Sequence, residues 1–119
     1  MRLIGLDHGR RRIGVAVGDT QTGMAFARPA IQRRSLVVDL DTITALARDE
    51  DAELVVLGLP RNMDGTEGAQ AAAARDFGER LTEVGLVIAY VDERLTSWQA
   101  AEQLADEGRR VRRRTGELD

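Results

Sequence analysis

Met1-Arg2-Leu3-Ile4-Gly5-Leu6-Asp7-His8-Gly9-Arg10-Arg11-Arg12-Ile13-Gly14-Val15-Ala16-Val17-Gly18-Asp19 is the stretch that decides the fold. It reads as two short apolar strands joined by a tight basic turn. Leu3, Ile4 and Leu6 make the first apolar run, which ends on a carboxylate, Asp7. Gly9 serves a turn that needs a positive φ or a close backbone approach. Ile13, Val15 and Val17 mark a second run, rich in β-branched residues. A carboxylate on a first strand, beside a glycine turn and three arginines, adds little to stability. It suits a metal ion held beside a phosphate. The plainer reading is a hairpin with a solvent-facing Asp and a basic loop.

Outward from this hairpin, residues 21–24 read as a turn and 25–33 as a third strand. Pro29 cannot donate a ladder hydrogen bond, so that strand belongs at an edge or a bulge. Ser35 is a plausible N-cap for a helix over 36–50, with Leu36, Leu40, Ile43 and Ala47 on its inner face and Asp39 turned elsewhere. Leu54-Val55-Val56-Leu57-Gly58 is a continuous apolar run, the mark of a strand buried on both faces. The loop Arg61-Asn62-Met63-Asp64-Gly65-Thr66-Glu67-Gly68 then joins a strand's carboxyl end to a helix's N-terminus, where open α/β sheets bind ligands. That helix spans 69–84, with Ala73, Ala74, Phe77, Leu81 and Val84 inward and Gly85 as its stop. Residues 86–91 read as another buried strand and 98–107 as a third helix. The order β-β-β-α-β-α-β-α predicts a mixed five-stranded sheet flanked by helices. The first three strands are antiparallel neighbours and the last two are parallel through helical crossovers.

A chain of 119 residues fits one domain, 1–119. Hydrophobic residues make up 43% but aromatic residues only 3%, so the core is aliphatic. The absence of cysteine excludes disulfides, thiolate metal sites and Cys nucleophiles. No apolar run approaches the roughly 18 residues of a membrane span, and Asp7 interrupts any signal-peptide core. A cytoplasmic protein is expected. The net charge of −3 hides a strong segregation. Residues 1–34 carry seven arginines and two acids, 35–107 five and sixteen, and 108–119 five and two. Local fields rather than net charge steer a polyanion, so two basic ends around an acidic middle remain compatible with nucleic acid.

Three acids stand apart from the charged surface: Asp7 at the end of the first strand, Glu93 (beside Asp92) at the end of the fifth, and Asp119 after an arginine-rich run. Carboxylates at the ends of neighbouring strands converge, and two or three of them hold Mg²⁺ or Mn²⁺, hard cations with oxygen ligands. A pair of such ions about 4 Å apart activates water and stabilises a phosphodiester's leaving oxygen. His8, the sole histidine, reads more readily as a turn residue bonded to the backbone than as a general base. Asp64-Gly65-Thr66-Glu67-Gly68 offers a phosphate a helix N-terminus, but loop geometry accounts for its glycines equally well. Trp98 reads as a packing residue. Arg10, Arg11 and Arg12, with Arg109, Arg110, Arg112, Arg113 and Arg114, are the candidates for gripping backbone phosphates.

Three segments, in order along the whole chain, carry a resemblance. They are Gly5-Leu6-Asp7-His8-Gly9 with Arg12-Ile13-Gly14-Val15-Ala16-Val17, then Gly58-Leu59-Pro60-Arg61-Asn62-Met63-Asp64-Gly65, then Val91-Asp92-Glu93-Arg94-Leu95-Thr96-Ser97. Together they resemble the bacterial YqgF family, also called RuvX or Holliday junction resolvases. The resemblance implies a ribonuclease H-like fold and a metal-dependent nuclease that processes the 5′ end of precursor 16S ribosomal RNA. It implies Asp7, Glu93 and the Asp of a Gly-x-x-Asp segment, here Asp119, as catalytic metal ligands. Family members continue past that Asp into a final helix, whereas the sequence here stops at it. The expected partner is structured RNA, with branched DNA as the alternative, and no membrane; the protein is a monomer or homodimer. Two rival functions stay open. One is resolution of four-way DNA junctions, which favours a symmetric dimer. The other is a non-catalytic RNA-binding assembly factor on the same scaffold. The actin-like ATPases share a strand–Asp–x–Gly start but need two such domains, more than this chain supplies.

Overall fold

The computed structural model describes residues 1–92. Its elements are β1 (Arg2–His8), β2 (Arg12–Asp19), β3 (Met24–Gln32), α1 (Leu36–Asp49), β4 (Leu54–Leu59), α2 (Ala69–Glu83) and β5 (Ile88–Asp92). The helix expected over 98–107 lies outside the described residues. The strands form one sheet in the order β3-β2-β1-β4-β5. β1 pairs antiparallel with β2 and β2 with β3, whereas β4 pairs parallel with both β1 and β5. The mixed α/β sheet expected from the sequence is therefore the one observed.

Alternation along the strands sorts side chains onto two faces. One face carries Ile4 and Leu6 of β1, Ile13, Val15 and Val17 of β2, and Val55, Leu57 and Leu59 of β4. Both helices pack on it, through Ile43 and Ala47 of α1 and Ala74, Phe77 and Leu81 of α2. The opposite face holds a smaller cluster: Leu3, Leu54, Val56 and Ala89. β4 contributes to both clusters, as its unbroken apolar run requires. Truncating Ile43, fully buried between α1 and the sheet, costs about 2–5 kcal/mol by the usual cavity scale.

Pro29 has both features its ring demands. β3 is an edge strand, and its pairing to β2 shifts register between Ile13 and Val15, so Pro29 and Ala30 together oppose Gly14. β5 departs from expectation. It lies at the sheet's other described edge, with only Ala89 fully buried, because β4 rather than β5 takes the central place.

The helices are rotated from their expected phase. Ser35 caps α1 as predicted, its hydroxyl accepting the Val38 amide at 3.2 Å. The buried stripe, however, is Asp39, Ile43 and Ala47, while Leu36 is exposed. Asp39 turns inward because two donors meet it: the Arg34 amide at 3.0 Å and Arg33 Nε at 3.5 Å. On α2 the inner face is Ala71, Ala74, Phe77, Gly78 and Leu81, leaving Ala73 and Val84 outside. Gly78 belongs there because a Cβ would collide with the Tyr90 ring of β5. Gly85 ends the helix at φ 101°, the left-handed stop its position suggested.

Candidate active site

Asp7 sits one residue before the end of β1, exposed, on the face opposite both helices. Among the described residues its strand neighbours on this face are glycines. Across the β1–β2 ladder its partner is Gly14, where a Cβ would come within 3.3 Å of the Asp7 Cβ. On the other side, the β1–β4 register runs Leu6 to Leu57, so the next step sets Gly58 beside Asp7. Gly5 precedes Asp7 on the same face. One carboxylate thus stands on a floor of glycines, with no ion pair to any described residue. A hard cation needs such an oxygen donor and the open space beside it, so Asp7 fits the role expected of it. Among the described residues no group of three potential ligands converges. The other two expected ligands, Glu93 and Asp119, lie outside the described residues, as do Arg109, Arg110, Arg112, Arg113 and Arg114.

Asp92 closes β5 on the other face. It shares the helix-covered side with Ile88 and Tyr90 and lies 4.0 Å from Arg61 Nε. β1 and β5 are not neighbours: β4 runs between them, at strand spacings that set them roughly 10 Å apart. Gly58, level with Asp7 on one side, is paired with Val91 on the other.

The turn from β1 to β2 is closed by the Gly9 amide donating to the Arg12 carbonyl at 3.0 Å. Gly9 is needed for proximity rather than a positive φ, since a Cβ there would lie 2.6 Å from that carbonyl oxygen. Arg10, Arg11 and Arg12 are exposed on this turn and make no ion pair with described residues. Together with Gly9 and Gln32 they line an open hollow. The loop after β4 is braced. The Asn62 amide donates to the Thr66 carbonyl at 2.8 Å, and Thr66 donates to Asp64 through both its amide and its hydroxyl. Arg75 forks Glu67 at 2.7 and 2.8 Å while Arg61 reaches the same carboxylate at 2.9 Å. Arg75's hydrogen bonds hold the Glu67 carboxyl below its ordinary range. Gly65 has φ 88°, so one of the loop's glycines answers to backbone geometry. Met63 stands fully exposed at its tip.

His8, read from the sequence as a turn residue bonded to the backbone, belongs to β1 and lies off Asp7's face. It is the last residue of β1, 8% exposed, with its ring 4.9 Å from Phe77. Burial, and next the charge of Arg33, push its pKa below the ordinary value. Arg33 and Asp39, which complete this buried polar group, escaped notice as a pair in the sequence. Their only signal was an acid placed at the spacing of a buried helical stripe.

The sheet order, with helices α1 and α2 on one face, is that of a ribonuclease H-like fold. The large terminase nuclease of thermophilic phage G20c has a similar fold, with a TM-score of 0.57 at 17% identity over 93% of this chain and 55% of that one. The family model described as "RuvX: Holliday junction resolvase" matches residues 1–119, and the chain belongs to that family. It is 45% identical to a protein of Synechococcus elongatus over 98% of this chain and 78% of the relative. It is 46% identical to one of Moorella thermoacetica over 95% and 83%. Both relatives carry the name "Putative pre-16S rRNA nuclease".

Proposed function

We propose that this chain is a divalent-metal-dependent nuclease that hydrolyses phosphodiester bonds in the 5′ leader of precursor 16S ribosomal RNA, in the cytoplasm. The hydrolase class follows from family membership, and the names of the relatives support the RNA substrate. The observation that carries the chemistry is Asp7, an exposed carboxylate near the end of β1 with no ion pair among the described residues and Gly14 opposite it. Glu93 and Asp119 complete the set of ligands. Asp92's position across the sheet, facing Arg61, supports Glu93 as the member of that acidic pair that serves with Asp7. Mg²⁺ or Mn²⁺ bound there supplies Lewis-acid activation of water and neutralises charge on the phosphodiester. Gly14 and Gly58 leave the substrate backbone room to approach. Arg10, Arg11 and Arg12, with the five arginines of 109–114, hold phosphates on either side of the cut and fix the strand's register. In-line hydrolysis leaves a 5′-phosphate and a 3′-hydroxyl.

The test offers purified protein, with Mg²⁺ or Mn²⁺, a precursor rRNA 5′ leader and a four-way DNA junction in parallel. Metal-dependent cleavage of the leader in preference to the junction is expected. Preferential junction cutting would transfer the same chemistry to branched DNA. Binding of either without cleavage would favour an assembly factor.

A further inference from the structure

The turn that carries Arg10, Arg11 and Arg12 works against itself. Three guanidinium groups on consecutive exposed residues repel one another, and none of the three makes an ion pair among the described residues. The turn closes on the Gly9 amide, which donates to the Arg12 carbonyl at 3.0 Å. A second residue, just past the end of β3, holds it from outside. The Arg33 amide donates to the Arg11 carbonyl at 2.9 Å, and Arg33 Nη1 donates to the Gly9 carbonyl at 3.1 Å. The two peptide groups on either side of Arg10 are thus tied to one residue, through its backbone and its side chain together. A fourth guanidinium beside three others needs a counter-charge, and Asp39 supplies it. Asp39 lies in the first turn of α1, 1% exposed, with Arg33 Nε 3.5 Å away and the Arg34 amide bonded to it at 3.0 Å. The Phe77 ring centre is 5.9 Å from the Arg33 guanidinium carbon. An ion pair withdrawn from water adds little net stability, because desolvation offsets the attraction. What this pair provides is direction: a planar fork with one nitrogen on the carboxylate and another on the turn's carbonyl.

We infer that Arg33 is a positioning residue for RNA binding. Held by Asp39, it fixes the Gly9–Arg12 turn to the start of α1, so that Arg10, Arg11 and Arg12 meet backbone phosphates in one arrangement. It acts through the turn, by sparing the RNA the cost of ordering it. The inference rests on the reading of those three arginines as phosphate contacts and names the pair that preorganises them.

The test is a mutant cycle on the intact protein, binding a single-stranded RNA in divalent-free buffer at several salt concentrations. The anchor variant joins Arg33→Met to Asp39→Asn, which removes the donor to Gly9 and leaves no lone buried charge. The turn variant joins Arg10→Ala, Arg11→Ala and Arg12→Ala. The turn variant should flatten the slope of log affinity against log salt by roughly 2, at about 0.7 for each of three contacts. The anchor variant should flatten it in the same direction and weaken binding on the order of fivefold. Combined, the two should lose no more than the turn variant alone, within about twofold. Hydrogen exchange at the Gly9 amide should quicken in the anchor variant. A merely structural role would lower the melting temperature in both backgrounds and leave the salt slope of the folded protein unmoved. Arg33→Lys, which keeps the charge and loses the fork, repeats the cycle should the anchor variant lose its fold. An anchor variant with wild-type affinity and slope, beside a turn variant that loses both, overturns the inference and leaves the phosphate reading standing. So does a full further loss when the anchor changes are added to the turn variant, because Arg33 would then act on RNA directly. An unchanged turn variant overturns the phosphate reading itself, and the positioning role with it.

Discussion

Asp7 and His8 are consecutive residues of β1 and occupy opposite faces of the sheet: Asp7 opposes Gly14 on the face away from α1 and α2, and His8 lies against Phe77 beneath the helices. The strand's alternation thus separates two chemistries that the sequence sets side by side. Asp7→Asn keeps the shape and removes a negative oxygen donor. Cleavage should fall by at least about a hundredfold, with melting temperature and nucleic-acid affinity little changed. A well-folded variant that still cuts at the wild-type rate would remove Asp7 from the site.

Asp92 and Glu93 should separate in the same assay. Glu93→Gln should match the loss at Asp7. Asp92→Asn loses an interaction with Arg61 at 4.0 Å, and cleavage should drop less than about threefold, since part-exposed ion pairs contribute only ~0–1 kcal/mol. Equal losses at the two positions would count against a division of roles by sheet face.

Gly14→Ala tests the glycine floor. The new methyl would meet the Asp7 Cβ at 3.3 Å, so one of the two must shift by a few tenths of an ångström. The turnover number should fall while KM for RNA and thermal stability stay close to wild type. A variant with unaltered turnover would show that Asp7 tolerates the displacement.

His8 sets a pH dependence whose sign follows from its lowered pKa. The folded protein resists protonating this ring, whereas the unfolded chain takes the proton near pH 6.5. The unfolded state therefore binds more protons below that point, and stability falls as pH drops through 6.5 towards the folded value. Above pH 6.5 the contribution is flat. Denaturant titrations in phosphate-free, metal-free buffer should show this loss in wild type and not in His8→Phe. An identical slope in both proteins would assign the pH dependence to other groups.

The basic segments have their own signature. Replacing Arg109, Arg110, Arg112, Arg113 and Arg114 with Ala should flatten the slope of log affinity against log salt by roughly 0.7 per lost contact on single strands and 0.9 on duplex. Affinity should weaken alike for all sequences, and cleavage at saturating substrate should fall less than binding. An unchanged slope would shift the substrate path to Arg10, Arg11, Arg12 and Arg33.

Much of this was legible before any coordinates. The apolar run at 54–58 announced a central strand, Pro29 an edge, and Ser35 and Gly85 two helix ends, because each rests on a local rule of backbone chemistry. Asp7's place near the end of the first strand was legible too, because the apolar run before it ends there. The phases of the helices were not. Asp39 is polar by type and buried by virtue of Arg33 and the Arg34 amide, partners that only tertiary structure supplies. Gly78 looks like a weak point in a helix until Tyr90 is seen to need its space.

The placement of β4 between β1 and β5 carries a consequence for synthesis. Until residues 54–59 leave the ribosome, β1 has pairing only on its β2 side, and the level that brings Asp7 beside Gly58 does not exist. The hairpin of β1 and β2 is complete early, yet its carboxylate has no facing wall. Closure of the sheet waits on the latter half of the chain, so a nascent protein carries Asp7 before β4 and β5 complete the sheet beside it.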